Sequence, residues 1–292
     1  MPSTRDIRRR IKSVKNTAQI TKAMQMVAAS KMRRAQQSAI SGRPYASLMN
    51  NVLAEVLHHV GDFTHPLTEV REVRKTAVII VSTDKGLCGG LNSNLMREVA
   101  KLDKSSHIFI AAGRKGSQFV ARTKRELVAD FTYRDSPSFS EARVISKFAQ
   151  DLFLRGEVEQ VQVLFTNFIN TLTQKPELKT LLPVGEIKGV SAAFEGESLT
   201  QELTRSGTEF LFEPSAEVVM GALLPHYLNF QVYQMLLEAK ASEHSARMVA
   251  MKSATDNAKQ LIKDLTLEYN KMRQASITNE LLEISSAAMA VG

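Results

Sequence analysis

The chain has no tryptophan and one cysteine, Cys88, among 292 residues. A lone cysteine excludes an internal disulfide and any thiolate metal cluster. Aromatic residues make up only 6%, too few for a surface that stacks bases. No apolar run approaches the roughly 20 residues that a membrane-spanning helix needs. Met1–Arg10 has no apolar core of the kind a signal peptide carries, so mature protein without direct membrane insertion is expected from the first residue. Neither G-x-x-x-x-G-K-[ST] nor G-x-G-x-x-G occurs, which removes the familiar phosphate-binding loops. Histidines do not gather into a ligand set. His58 and His59 are adjacent and point in different directions on a helix, and His226 and His244 lie roughly 27 Å apart along another. No cofactor, metal ion or nucleotide is expected.

Glycine is also missing from two long stretches, and proline from the second of them. No glycine lies between Met1 and Ser41. Apolar residues there fall at Ile7, Ile11, Val14 and Ala18, then shift to Ile20, Met24 and Val27, the spacing of a helix face. Ser3 or Thr4 can cap the helix. Gly42 and Pro44 interrupt it, a second helix is predicted from about Tyr45 to Val60, and Gly61 and Pro66 mark a loop. From His226 to Val291, 66 residues contain neither glycine nor proline. As one helix they would span about 100 Å. A seam at Leu237, Ala241, His244, Met248, Met251, Thr255, Ala258, Ile262, Leu265, Tyr269 and Met272 has the alternating four–three spacing of a coiled coil. The N-terminal helix is the available antiparallel partner; a second copy of the chain is the alternative.

The middle of the chain has a different pattern. Thr76–Val81, Ser106–Ala112, Val158–Ile169 and Leu178–Val184 read as strands, with helices at Leu91–Leu102, Arg114–Lys124 and Ser140–Arg155. Such alternation predicts a βαβ-type sheet. Residues 186–214 read as a loop with one edge strand at Glu209–Phe212. The expected fold is therefore α/β plus a long antiparallel α-helical coiled coil formed by the N- and C-terminal helices. Its expected divisions are residues 1–60, a Rossmann-like foot at 75–212, and the C-terminal helix at 213–292.

Charge is unevenly distributed. Residues 1–35 hold ten Lys and Arg against one acid, Asp6, so this segment carries +9 and the remaining 257 residues come to −1. A basic helix can meet nucleic acid, but here the charges flank an apolar seam, and an acidic protein surface is the better match. Gly86-Leu-Cys-Gly-Gly90 fits a nucleophile elbow that would present Cys88. Against a cysteine-dependent hydrolase, residues 82–85 separate it from the strand, and no acid-then-histidine order follows. A glycine-rich turn feeding a helix is the simpler reading. Gly113-Arg-Lys-Gly116 could meet an anion, yet such turns commonly just join a strand to a helix.

Several segments resemble the gamma subunit of F-type ATP synthases: Ile7-Arg-Arg-Arg-Ile-Lys-Ser-Val-Lys-Asn-Thr17 and Ile20–Lys31 at the N terminus; Ser82-Thr-Asp-Lys-Gly-Leu-Cys-Gly-Gly-Leu-Asn-Ser-Asn94 after the first strand; and Ala241–Asn257 and Tyr269–Glu280 in the last helix. Near the end, Ile277, Thr278, Glu280, Glu283 and Ala288 match that family, while Ala287 stands where glycine is usual. The resemblance implies a central rotor shaft, with no catalytic residues of its own, coupling proton-driven c-ring rotation to ATP synthesis or hydrolysis on an alpha–beta hexamer. It implies hexamer contacts at Met24, Lys31, Arg273, Gln274, Thr278 and Glu280. It implies foot contacts to the epsilon subunit and c-ring at Gly86, Leu87, Cys88, Phe210 and Glu213. The implied location is peripheral, on the cytoplasmic face of a bacterial inner membrane, with no nucleic acid partner.

Overall fold

The computed structural model describes residues 3–42, 44–46, 48–49, 52–53, 65–184, 213 and 215–291. The expected edge strand at 209–212, with Phe210, and the pair His58 and His59 lie outside these residues, as does the end of the helix expected near 45–60. Two units are present: Met1–Ala28 with Met248–Gly292, and Ala29–Arg247. Helix α1 (Thr4–Ser41) and the last helix (Ala216–Val291) each contribute to both.

The second unit is built on a five-stranded sheet. Its elements run β1 (Thr76–Val81), α2 (Leu91–Lys101), β2 (His107–Ala112), α3 (Arg114–Arg122), β3 (Leu127–Phe131), α4 (Phe139–Leu154), β4 (Gln160–Phe168), β5 (Gln174–Leu182) and the start of α5, the helix at Ala216–Val291. Strand order is β3-β2-β1-β4-β5. All pairings are parallel except β4 with β5. Strand β1, Thr-Ala-Val-Ile-Ile-Val, is buried along its whole length, as a central parallel strand covered on both faces must be. Alternation divides it between two cores. Ala77, Ile79 and Val81 meet α4 and α5 through Ile145, Phe153, Leu228 and Leu236. Val78 and Ile80 meet α2 and α3 through Leu95, Val99 and Val120. Pro176 sits in β5, where an edge position tolerates its missing N–H.

Two elements differ from expectation. Strand β3 was not anticipated: Leu-Val-Ala-Asp-Phe lies at the sheet's end, with Leu127, Ala129 and Phe131 half-buried and Val128 and Asp130 exposed, a five-residue stretch in which the apolar Val128 on the outer side blurs the alternation. Helix α5 begins ten residues earlier than proline avoidance suggests and contains Pro225. A proline ring collides with the carbonyl four residues back. That residue is Gly221, whose backbone has latitude and open space around it, while burial of Met220, Leu224 and Tyr227 supports the extra turns.

In the first unit, α1 and α5 pair. Ser3 caps α1, its Oγ accepting the Asp6 N–H at 3.2 Å while the Asp6 carboxylate accepts from Ser3. Across the seam the hydroxyls of Thr21 and Thr255 are 2.7 Å apart. Thr21 lies seven residues before Ala28, and Thr255 lies seven after Met248. These limits of the unit coincide only if the helices run antiparallel. Carried along both helices, this register sets Ala18 by Ala258, Val14 by Ile262, Ile11 by Leu265 and Ile7 by Tyr269, and all eight are buried or half-buried. Burying a leucine or isoleucine contributes about 1.5–3 kcal/mol. The α1 seam does not shift at residue 20 as the apolar pattern suggested. Ile20 is 61% and Val27 55% exposed, and Thr21 keeps the seam straight because Thr255 satisfies its hydroxyl.

Candidate functional site

Open α/β sheets bind ligands at the carboxyl ends of their strands, where the strand order reverses. Here that crevice lies beyond β1 and β4, and α5 fills it. Residues 234–245 of α5 are buried without interruption. A seam-only helix would leave its outer face in water, so this segment is a core helix, and the coiled-coil character begins only near Met248. The Ser242 hydroxyl donates to the Thr166 carbonyl at 2.9 Å, and Ser245 to the Thr171 carbonyl at 2.8 Å. Arg247 donates to the Gly86 carbonyl at 3.3 Å and lies 3.5 Å from that of Lys85. Tyr133 donates to the carbonyl of Ser82, just past β1, at 3.1 Å.

A ladder of alternating charge accompanies these contacts. Lys31 pairs with Asp135. Asp135 reaches Lys240 at 3.7 Å, Lys240 meets Glu243 at 2.9 Å, and Glu243 holds Arg247 at 2.7 Å. Lys240 also lies 4.6 Å from the centre of the Tyr133 ring. Burial opposes ionisation of Glu243, but Lys240 and Arg247 outweigh it and hold the carboxyl below its ordinary value. A hydrogen bond from Lys31, aided by Lys240, lowers Asp135. Burial pushes His244 down to about 4, against the pull of Glu243, so the imidazole is neutral near pH 7. Burial raises the Tyr133 hydroxyl well above its usual range.

The glycine-rich turns are internally satisfied too. At the start of α3, the N–H of Arg114 bonds Asp84 Oδ1 at 3.0 Å, that of Lys115 bonds the Thr83 carbonyl at 3.0 Å, and that of Gly116 bonds Ser82 Oγ at 2.8 Å. These are the donors an anion would use. In the turn after β1, Leu87 and Gly89 have φ of 63° and 60°. Cys88 is 2% exposed; its sulfur accepts from Asn92 at 3.3 Å, and burial raises its thiol. A buried, protonated thiol is a poor nucleophile.

The residues expected from resemblance occupy three settings. Met24 is half-buried on α1, and Lys31 is engaged with Asp135 inside the α/β unit. Gly86 and Leu87 stand at the turn gripped by Arg247, with the Leu87 side chain exposed and that of Cys88 inside. Glu213 is exposed; Phe210 lies outside the described residues. Arg273, Gln274, Thr278 and Glu280 are exposed near the end of α5, where Thr278 bonds only its own helix and Glu280 accepts from Ser276 at 3.1 Å. Tyr133, Asp135, Lys240, Glu243 and Arg247 were missed. The run Lys240-Ala-Ser-Glu-His-Ser-Ala-Arg247 carries charges three and four apart, the usual mark of a solvated helix face; its density of Ala and Ser was the overlooked sign of close packing. Among the described residues there is no group of three or more potential metal ligands and no helix long and apolar enough to cross a membrane.

The fold class is thus an α/β unit whose switch-point crevice is filled by residues 234–245 of its own last helix, in a chain that also carries an antiparallel helix pair. A family model described as ATP synthase matches residues 3–291. The chain is 47% identical to the ATP synthase gamma chain of Methylacidiphilum infernorum, over all of both chains, and 50% identical to that of Opitutus terrae, over 99% of each. Among solved structures, a central stalk and c-ring structure of Tetrahymena thermophila mitochondrial ATP synthase contains a chain that is 25% identical with a TM-score of 0.59, covering 80% of this chain and 99% of its own. A chain of Euglena gracilis mitochondrial ATP synthase shares the fold at a TM-score of 0.69 and 19% identity, covering 99% of this chain and 94% of its own. The chain belongs to the ATP synthase gamma chain family.

Proposed function

We propose that the chain is the central rotor shaft of an F-type ATP synthase, seated peripherally on the cytoplasmic face of a bacterial inner membrane. Its partners are the alpha and beta subunits of the catalytic hexamer, the epsilon subunit and the c-ring. One observation carries the reading beyond family membership. From Arg273 onward α5 has no partner among the described residues, yet it presents Ile277, Leu281, Leu282, Ile284 and Met289 to solvent. Such an apolar stripe on a surface helix marks an interaction site. Enclosure by a ring of other subunits would bury it. After Glu283 no charged side chain follows through Gly292, so an enclosed end could turn without breaking charge-assisted bonds. On α1 the exposed Ile20 and Val27, with basic residues around them, suit the same surroundings.

A single asymmetric shaft cannot make equal contacts with three catalytic sites. Turning it changes each site's contacts in sequence, and a ligand shifts an equilibrium only by its differential affinity for the two states. Met24, Arg273, Gln274, Thr278 and Glu280 are assigned to hexamer contact, with Arg273 offering a bidentate partner to carboxylates. The turn Gly86–Cys88 and Glu213 are assigned to the epsilon and c-ring side, Leu87 supplying the accessible side chain. Nucleotide chemistry belongs to the hexamer. Purifying the complex that contains this chain tests the reading: one copy per three alpha and three beta chains is expected, and a chain that never co-purifies with them refutes it. Unchanged ATP-driven rotation in an Arg273→Ala complex would remove that residue from the contact.

A further inference from the structure

The ladder from Lys31 to Arg247 is not explained by packing. A buried ion network is a poor way to add stability, since apolar residues of similar volume do as well or better. What ion pairs and directed hydrogen bonds add is a unique orientation. At 3.6 residues per turn, Lys240, Glu243 and Arg247 share one face of α5, while Ser242 and Ser245 lie on the opposite face. The first face is tied to Asp135, to Lys31 through Asp135, and to the Lys85–Gly86 carbonyls. The second is tied to the Thr166 and Thr171 carbonyls at the end of β4 and in the turn that follows it. Apolar contact alone resists withdrawal but is non-directional. Met235, Leu236, Leu237 and Ala239 surround the helix with similar material, so a small turn would exchange one such contact for another. The polar ties do not exchange. Glu243, on the same helix, holds Lys240 and Arg247 in place, and a turn in either direction pulls Lys240 from Asp135 or Arg247 from the Gly86 carbonyl and a serine from its own carbonyl.

We infer that Asp135, Lys240, Glu243 and Arg247, with Lys31, form a keyed joint that passes torque between the α/β unit and α5. The inference rests on the rotor reading and names the positioning residues by which the foot holds its shaft. Its chemistry is that of a lock: opposed ties on two faces of one helix, set in the crevice where other α/β proteins hold a ligand.

Purified ATP synthase containing the Lys240→Met, Glu243→Gln variant, placed in sealed vesicles, tests it. The variant complex is expected to assemble and to hydrolyse ATP at the wild-type rate without load, and to lose proton pumping against an imposed gradient. Amides at 240–247 should exchange roughly ten- to hundredfold faster, the effect of losing charge-assisted hydrogen bonds. Lys240→Arg should restore pumping. Undiminished pumping against the gradient by the double variant overturns the joint. If that variant does not assemble, Asp135→Asn decides: its site is half exposed, so folding survives, and full pumping under load overturns the joint equally. A wild-type chain that fails to join an active hexamer would instead defeat the rotor reading, leaving the two failures distinct.

Discussion

The Thr21–Thr255 pair allows a sharp test of how the two helices are held together. Two hydroxyls carry two protons. Thr255 donates to the Met251 carbonyl of its own helix at 2.8 Å, so its proton is committed. Thr21 then donates across the seam to Thr255 at 2.7 Å, with its own Ala18 carbonyl at 3.1 Å as the fallback. The two valine substitutions should therefore be unequal. Thr21→Val leaves a buried Thr255 oxygen without its donor and should cost about 1 kcal/mol. Thr255→Val lets Thr21 fall back on Ala18 and should cost less than about 0.5 kcal/mol, with added apolar contact in compensation. The double variant should be near neutral, giving a coupling energy of about 1 kcal/mol in a double-mutant cycle. Amide exchange of residues 14–28 and 248–262 reads these differences locally, without requiring two-state unfolding of a chain with two units. If Thr255→Val costs more than Thr21→Val, or if the two costs simply add, the proton assignment and the seam contact are wrong.

Other expectations follow from single sites. His244 is held at about 4 by burial, below its ordinary 6.5, so the neutral form is favoured in the fold. Stability from this group is present above pH 6.5 and is lost as pH falls towards 4. The gap is worth about 3 kcal/mol, and denaturant titrations at pH 7 and 4.5 should show a smaller acid loss in His244→Gln. Gly113 has φ of 105°, and a Cβ there would stand 2.2 Å from the Ser82 carbonyl oxygen. Gly113→Ala should destabilise the α/β unit by about 3 kcal/mol or more, whereas Gly86→Ala, with open space around it, should be far milder by the same measurement. Cys88 should react slowly with thiol reagents in the native chain and freely once unfolded, checked by mass spectrometry. A charge at the exposed Ala287 should change the chain's own stability by less than about 0.5 kcal/mol, yet weaken assembly with the hexamer in co-purification.

Legibility in the sequence tracked how each segment earns its order. The seam from Met251 to Met272 was readable because one face of a two-helix pair is buried and the other is wet, which is what periodicity records. Strands β1, β2 and β4 were readable as apolar runs. Between Gln234 and Ser245 the same helix is enclosed on all sides, so the four–three pattern persisted but no longer reported which face was inside. Lys240, Glu243 and Arg247 carry the spacing of a solvated face, yet Lys240 and Arg247 find partners as far away in sequence as Asp135 and the carbonyl of Gly86. The shift of the α1 seam to Ile20 was expected for a related reason: a polar residue such as Thr21 breaks an apolar pattern unless its partner, 234 positions away, is known. Pairings across such distances depend on tertiary structure and leave no local mark.

The same register explains where the chain stops supporting itself. With Thr21 opposite Thr255 and the helices antiparallel, Thr4, the first residue of α1, falls beside Met272. Met272 is the last half-buried residue of α5 among those whose burial is described. From Arg273 to Val291 the helix has outrun its partner. Nineteen unsupported residues exceed the roughly 12–15 at which an isolated helix becomes marginal in water only slightly. Their apolar side chains add no internal contact to hold them. Arg273, Gln274, Thr278 and Glu280 all lie in this segment, so none has structural work inside the chain beyond bonds along its own helix. Shortening α1 by one turn from Thr4 should move the exposure boundary on α5 back by one turn, to about Glu268. Amide exchange along 265–275 of the isolated chain reads that boundary directly. Protection that continues past Arg273 in the wild-type chain, or does not retreat in the shortened one, would mean that something other than α1 supports the end of the helix.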